Sequence, residues 1–255
     1  MSLLFQTKAF LRHQFQSVNK HGVHSPFVFE LTTTIFPEQP FTGENKAERW
    51  REECLKSSQT IHKTDFGTGN SGPIAISTIA KRSLKSPRVA RLLYRLVQRF
   101  QPKTILELGT SLGVTTMYLQ QANPTASIIT IEGCPETAAV AQSGFNQTNI
   151  HPHLIVGAFD EQLAQILQQH TKRDFIFIDG NHRYEPTINY YRTIKPYLNQ
   201  ESVLIFDDIH WSEEMERAWN EIIADADLHC TMDLFDIGIV MLRPHQRKEH
   251  FILRR

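Results

Sequence analysis

No continuous apolar run in the chain approaches the roughly 18–20 residues that a membrane-crossing helix needs, so no spanning segment is expected. The first 25 residues also lack the uninterrupted apolar centre of a secretion signal. Cysteine is scarce: Cys54, Cys134 and Cys230 are scattered, with no Cys-x-x-Cys pair. That excludes a disulfide framework or a thiolate zinc site, and points to reduced thiols in a cytoplasmic protein. Net charge is missing too, since 27 Lys and Arg balance 27 Asp and Glu. Without a global positive field, nucleic acid is not an expected partner.

One local absence stands against that balance. Residues 1–29 contain no acid, while carrying Lys8, Arg12, Lys20 and the histidines His13, His21 and His24. Phe5, Phe10, Leu11 and Phe15 recur at helical spacing, so residues 3–18 read as an amphipathic helix. Docking on the rest of the protein is the expected use of its apolar side, in preference to a targeting or membrane-surface role. Pro26 opens a second helix through Ile35.

What the chain does have centres on residues 104–132. Thr104-Ile105-Leu106-Glu107-Leu108 is a branched apolar run that reads as a buried strand. Gly109 and Gly113 bracket a turn, Val114 to Leu119 begins a helix, and Ile128 to Ile131 forms a second strand ending on Glu132. Strand, glycine turn, helix, strand and acid make the nucleotide-binding half of a doubly wound sheet, with the acid placed for ribose hydroxyls. Glu107 discriminates between nucleotides. A carboxylate there would repel the pyrophosphate of a nicotinamide dinucleotide, but suits a ligand carrying an ammonium and a sulfonium. An earlier Gly67-Thr68-Gly69-Asn70-Ser71-Gly72 matches the dinucleotide fingerprint in letters only. The preceding residues 60–65 are too polar for a buried central strand, and a helix is expected over Ile74 to Arg82.

Downstream, α/β units repeat. Helices are expected over residues 88–100, 135–145, 161–170, 184–198 and 211–224. Strands are expected over 153–156, 174–179 and 203–208, with a closing antiparallel hairpin at 228–232 and 237–242. Asp179 ends one strand, and Asp207 and Asp208 end another. Acids at the carboxyl ends of neighbouring parallel strands can share one ion, and three oxygen donors favour Mg²⁺ or another hard divalent cation. Helix capping accounts for one acid per turn but not for a doubled one.

The motif Glu107-Leu108-Gly109-Thr110-Ser111-Leu112-Gly113, with Glu132 and the three downstream acids, resembles the class I SAM-dependent methyltransferases. Over about residues 87–242 it is similar to the catechol and caffeoyl-CoA type O-methyltransferases. The resemblance implies a Rossmann-like α/β fold with a mostly parallel seven-stranded sheet, an antiparallel closing hairpin and an N-terminal helical extension. It implies a division at residue 85, with 1–85 capping the cleft of a methyltransferase domain at 86–255. S-adenosylmethionine (SAM) would contact Glu107, Gly109, Ser111, Gly113, Thr115, Glu132, Ala158, Phe159, Asp160 and Asp179. A divalent ion would sit on Asp179, Asp207 and Asp208 and lower the pKa of a small acceptor's hydroxyl, as a Lewis acid does.

One departure concerns the base. The catechol enzymes place a lysine shortly after the fourth-strand Asp, whereas this chain reads Gly180-Asn181-His182-Arg183-Tyr184. Imidazoles titrate near neutrality, so His182 is the candidate base beside Asp179, with a metal-ligand role also open. His210 and Trp211 could line the acceptor pocket, although packing on the sheet is the expected role of Trp211. Metal-free methyl transfer by His182 and a SAM-binding protein without catalysis are the alternatives. No membrane partner is expected, and a homodimer is admitted.

Overall fold

The computed structural model describes residues 3–39, 41, 45–64, 71–169 and 173–254. In chain order the elements are α1 (Leu3–Gln16), α2 (Pro26–Glu30), α3 (Lys46–Lys56), β1 (Thr60–Lys63), β2 (Gly72–Ala75), α4 (Ile76–Ser83), α5 (Pro87–Phe100) and β3 (Thr104–Leu108). There follow α6 (Val114–Ala122), β4 (Ser127–Glu132), α7 (Pro135–Thr148), β5 (His153–Val156), α8 (Phe159–Gln169) and β6 (Arg173–Ile178). The chain continues with α9 (Tyr184–Ile194), β7 (Leu198–Asp207), α10 (Glu213–Ala224), β8 (Cys230–Asp233), β9 (Ile237–Met241) and β10 (Glu249–Ile252). Two compact units emerge, Met1–Pro37 with Ile166–Arg255, and Glu38–Gln165.

In the unit Glu38–Gln165 the strands run β3-β4-β5, all parallel. The register sets Glu107 beside Thr130 on neighbouring strands, so their side chains share one face. Helix α5 starts where the sequence favours it: Ser86 caps it, its hydroxyl accepting from the Val89 amide at 3.3 Å, and Pro87 occupies the first turn. Its apolar stripe Val89, Leu92, Leu93, Leu96 and Val97 is buried. A second cluster joins α3, α4, α6 and α7 through Trp50, Ile76, Ile79, Tyr118, Ala141 and Phe145.

Part of the expected helix 74–82 is strand. Pro73 and Ile74 pair with His62 and Ile61 in the antiparallel β1–β2 ribbon, and α4 begins only at Ile76, whose amide donates to the Gln59 carbonyl. Pairing across the ribbon satisfies backbone groups that a helix start would leave open. Residues 60–63 are thus a strand, but not one of a central sheet. Residues 65–70 of the fingerprint-like motif lie outside the described residues.

In the other unit the order is β10-β8-β9-β7-β6. β6 and β7 are parallel, β9 runs antiparallel to both β7 and β8, and β10 adds parallel to β8. The expected closing hairpin is therefore present, and β10 is a strand beyond the seven anticipated. β10 was hidden because residues 249–252, Glu-His-Phe-Ile, have too short a pattern to stand out before pairing supplies a partner.

Packing around α7 generates a test. A Cβ at Gly144 would lie 2.3 Å from Cε2 of Trp50, an aromatic ring held in the core. Gly144→Ala should destabilise by about 1–3 kcal/mol, read as a melting temperature lowered by roughly 2–10 °C. An unchanged melting curve would mean that the helix pair adjusts freely.

Candidate active site

The glycine turn between β3 and α6 is held from several sides within its own unit. Gly109 (φ 107°), Ser111 (φ 49°) and Gly113 (φ 82°) all have left-handed backbones. A Cβ at Gly113 would meet the Phe145 ring at 2.7 Å, so both conformation and space require glycine there. Glu132, at the end of β4, accepts the Ser111 amide at 2.8 Å on one carboxylate oxygen and the Cys134 amide at 3.0 Å on the other. The acid predicted at this position thus orients the turn itself. Thr115 is buried in the first turn of α6.

Glu107 is engaged within the fold. Its side chain is fully buried, and Oε2 accepts from the Thr116 hydroxyl at 2.5 Å and the Thr130 hydroxyl at 2.6 Å. Thr130 in turn meets the Thr110 hydroxyl at 2.6 Å. The carboxylate therefore ties β3, β4, α6 and the turn together. A buried anion there still biases the local field toward cations, because low-dielectric surroundings screen it weakly.

After β5, Gly157 (φ 156°) leads into Ala158, whose carbonyl accepts from the Glu161 and Gln162 amides at 3.1 Å each. Asp160 is exposed and lies inside the first turn of α8. Ala158 and Phe159 are half-buried beside it.

Sequence reasoning missed Trp50. It lies on α3, a stretch whose charged residues mask its role, and its indole N–H donates to the Leu112 carbonyl at 2.7 Å. Gly144 leaves the notch that admits the ring. Tyr118 anchors the same helix, donating to Glu48 at 2.8 Å, and burial pushes its phenol up to about 12, which keeps it protonated. The only signal in the sequence was one tryptophan among polar residues.

In the other unit, parallel pairing of Ile178 with Phe206 brings the ends of β6 and β7 level, and with them Asp179 and Asp207. Asp179, His182 and Asp207 each offer a ligand atom within 4.8 Å of the other two. His182 Nε2 is 3.6 Å from Asp179 Oδ1 and 3.9 Å from Asp208 Oδ2. Asp208, expected as a ligand, falls outside that three-residue group. Its backbone is left-handed (φ 53°), its amide donates to the Asp236 carbonyl at 2.7 Å and its own carbonyl accepts the Trp211 amide at 2.9 Å. The loop carrying His182 is braced by Asn181, which donates to the Tyr190 hydroxyl at 3.1 Å, and by the Tyr184 amide, which donates to Glu214 at 3.1 Å.

His210 is held by acids on both sides of its ring. Its Nε2 meets Asp233 at 2.7 Å, while Nδ1 is buried 3.9 Å from Glu216. His13 Nε2 lies 3.3 Å from the other Asp233 oxygen. Burial alone would raise the Asp233 carboxyl, but His13, His210 and the Phe235 amide hold it well below the usual carboxylate range. The His210 ring instead lines a hollow of about 390 Å³ with Phe10, Asp208, Trp211, Phe235 and Asp236. Trp211, expected to pack away, is 38% exposed and walls a second hollow of similar size with Phe5, His182 and Arg183. His21 and His24 are exposed. The thiols supply no nucleophile: all three are free and buried, and burial pushes Cys54 and Cys230 up to about 12.

The clamp on the glycine turn can be probed without any ligand. Trp50→Phe keeps the ring but loses its donor, a loss of about 1 kcal/mol. Amide hydrogens of residues 109–113 should then exchange roughly fivefold faster by mass spectrometry. Unchanged exchange would show that Glu132 and Thr130 hold the turn unaided.

Residues 106–209 match a family model described as a methyltransferase domain. A catechol O-methyltransferase of Niastella koreensis is 34% identical over 100 residues, which cover 38% of this chain and 45% of that protein. An uncharacterized protein of Acanthamoeba polyphaga mimivirus is 30% identical over 134 residues, 48% of this chain and 60% of its own length. The chain therefore spans about half the length of these curated relatives. An O-methyltransferase from Bacillus cereus, solved in complex with SAH, aligns with a TM-score of 0.56 at 18% identity, covering 83% of this chain and 94% of that one. An SAH-bound Podospora anserina methyltransferase aligns with a TM-score of 0.57 at 18% identity, covering 81% and 98%. The chain therefore has the Rossmann-like α/β fold of these solved methyltransferases, and over residues 106–209 it is similar to a methyltransferase domain.

Proposed function

We propose that this protein transfers the methyl group of SAM to a hydroxyl of a small acceptor, with a divalent cation assisting at Asp179, His182 and Asp207. The observation that carries the reading is the convergence of these three side chains at the level ends of two parallel strands. Ligand atoms around a small divalent ion at bond lengths of about 2.1 Å lie roughly 3–4 Å apart. The 3.6 Å between His182 and Asp179 fits that spacing. Two carboxylates and an imidazole suit Mn²⁺ as well as Mg²⁺. When bound, such an ion lowers the pKa of a coordinated hydroxyl. In this reading Asp179 and Asp207 supply the negative charge that retains the ion, and His182 supplies a neutral nitrogen. Asp208, beside His182, is placed to accept a hydrogen bond from an acceptor.

For the cofactor, Glu132 and the glycine turn are the proposed seat. Glu132 keeps Ser111 and Cys134 in place while its remaining lone pairs accept ribose hydroxyls. The partly positive start of α6 faces the turn, and Thr115 closes it. Asp160, exposed after the β5 turn, is the candidate contact for the adenine edge.

A metal-free reading remains as the second choice, because the same distances let the flanking carboxylates orient His182 as a base. Metal dependence separates the two. With a set of vicinal diols as acceptors, EDTA should abolish methyl transfer and Mn²⁺ or Mg²⁺ should restore it. Calorimetry of Asp207→Asn should show ion affinity lowered at least about tenfold. Activity indifferent to EDTA would transfer the chemistry to His182. Glu132→Ala should weaken SAM binding roughly 10- to 100-fold, the expected loss for charge-assisted hydrogen bonds. SAM affinity unchanged in that variant would remove the cofactor assignment.

A further inference from the structure

The helix α1 has two apolar sides, and only one is used. Toward its own unit it buries Ala9 and His13, stacks Phe10 edge-on against Phe235 at 5.2 Å, and donates from Gln6 to the Trp211 carbonyl at 3.3 Å. Arg12 pairs with Glu216. At about 100° per residue, Leu4, Lys8, Leu11 and Phe15 fall within a single narrow stripe on the opposite side. Leu4 is 83% exposed, Leu11 51% and Phe15 88%. Scattered apolar residues on a surface are ordinary, but three bulky ones in one row at these exposures form a patch.

The charge around the patch has one sign. Lys8 sits inside the row, and Lys20 lies exposed just past the helix. Arg254 folds back onto the last turn, donating to the Gln14 carbonyl and to the Ser17 hydroxyl. No acid occurs before Glu30. The acids Glu213 and Glu214 share a hollow with Phe5, which lies about 100° round the helix from Leu4 and so off the row. Pairing of this row with a second copy would set Lys8 and its neighbouring cations against their own kind, with no acid on either helix to offset them. A negatively charged layer with an apolar interior complements both features together.

We propose that the outer face of α1 docks this protein peripherally on an anionic membrane surface, with Leu4, Leu11 and Phe15 entering the interface and Lys8, Lys20 and Arg254 facing the headgroups. Of the apolar positions expected from the sequence to dock, Phe5 and Phe10 contact the rest of the unit, whereas Leu11 and Phe15 lie in the outward row, which is a second function of the same helix. It is independent of the methyl-transfer chemistry.

The test is flotation of the full chain with vesicles of phosphatidylcholine alone and of phosphatidylcholine with phosphatidylserine at 7:3. Binding to the anionic vesicles should exceed binding to the neutral ones at least fivefold and should fall on going from low to high salt. The triple variant Leu4→Ser, Leu11→Ser, Phe15→Ser should lose it with the melting temperature unchanged. If that variant is less stable, Lys8→Glu with Lys20→Glu is the second probe and should lose binding equally. Equal binding to both vesicle types, or binding that survives either variant, would overturn the proposal. So would a dimer seen by sedimentation and dissolved by the triple variant with no vesicle binding, since the face would then belong to a second copy.

Discussion

The turn at residues 109–113 depends on a carboxylate that reaches back from the next strand. Three of its five residues have left-handed backbones, a conformation unfavourable for Ser111 in particular. Glu132 offsets that cost by taking the Ser111 amide on one oxygen and the Cys134 amide on the other. Charge-assisted bonds of this kind are stronger than neutral ones. The turn, the start of α6 and the start of α7 thus share one anchor. Around it the Thr110–Thr130–Glu107–Thr116 chain braces the turn from the strands, and the buried Trp50 braces it from α3.

The other unit is organised by a different device. Asp233 is a buried carboxylate bracketed by His13 from α1 and His210 from the loop after β7. Phe235 stacks on His210 at 5.3 Å and meets His13 edge-on at 5.4 Å. The N-terminal helix is thereby fastened beside the loop that carries Asp208. Its inner side forms walls of two hollows that meet at Trp211, and its outer side stays available. The separation of 220 residues between His13 and Asp233 makes that contact invisible to any local pattern.

Where sequence and structure part, the reasons are specific. Glu107 reads as a charge beside the ligand because its spacing to Gly109 matches the methyltransferase motif; what the sequence does not show is that the strand register also pairs it with Thr130. Asp208 reads as a third oxygen ligand because it follows Asp207, but the chain turns left-handed there (φ 53°) and leaves its carboxylate beside His182 at 3.9 Å, outside the three-residue group. The imidazole of His182 takes its place because the loop after β6 returns over the strand ends. Ile74 carries a helical pattern with its neighbours and still becomes a strand, since Ile61 offers a pairing partner.

Local chemistry alone settled the parallel α/β pattern, the glycine turn, Glu132 and the level acids at Asp179 and Asp207. Each follows from hydrophobic periodicity, from the backbone freedom of glycine or from the place where a strand must end. Only the tertiary structure decided which carboxylate faces inward, which imidazole joins the acids, that Trp50 braces the turn and that α1 has a spare apolar face. Those outcomes depend on contacts between residues far apart in the chain, and burial there is set by the partner and not by the residue's own type.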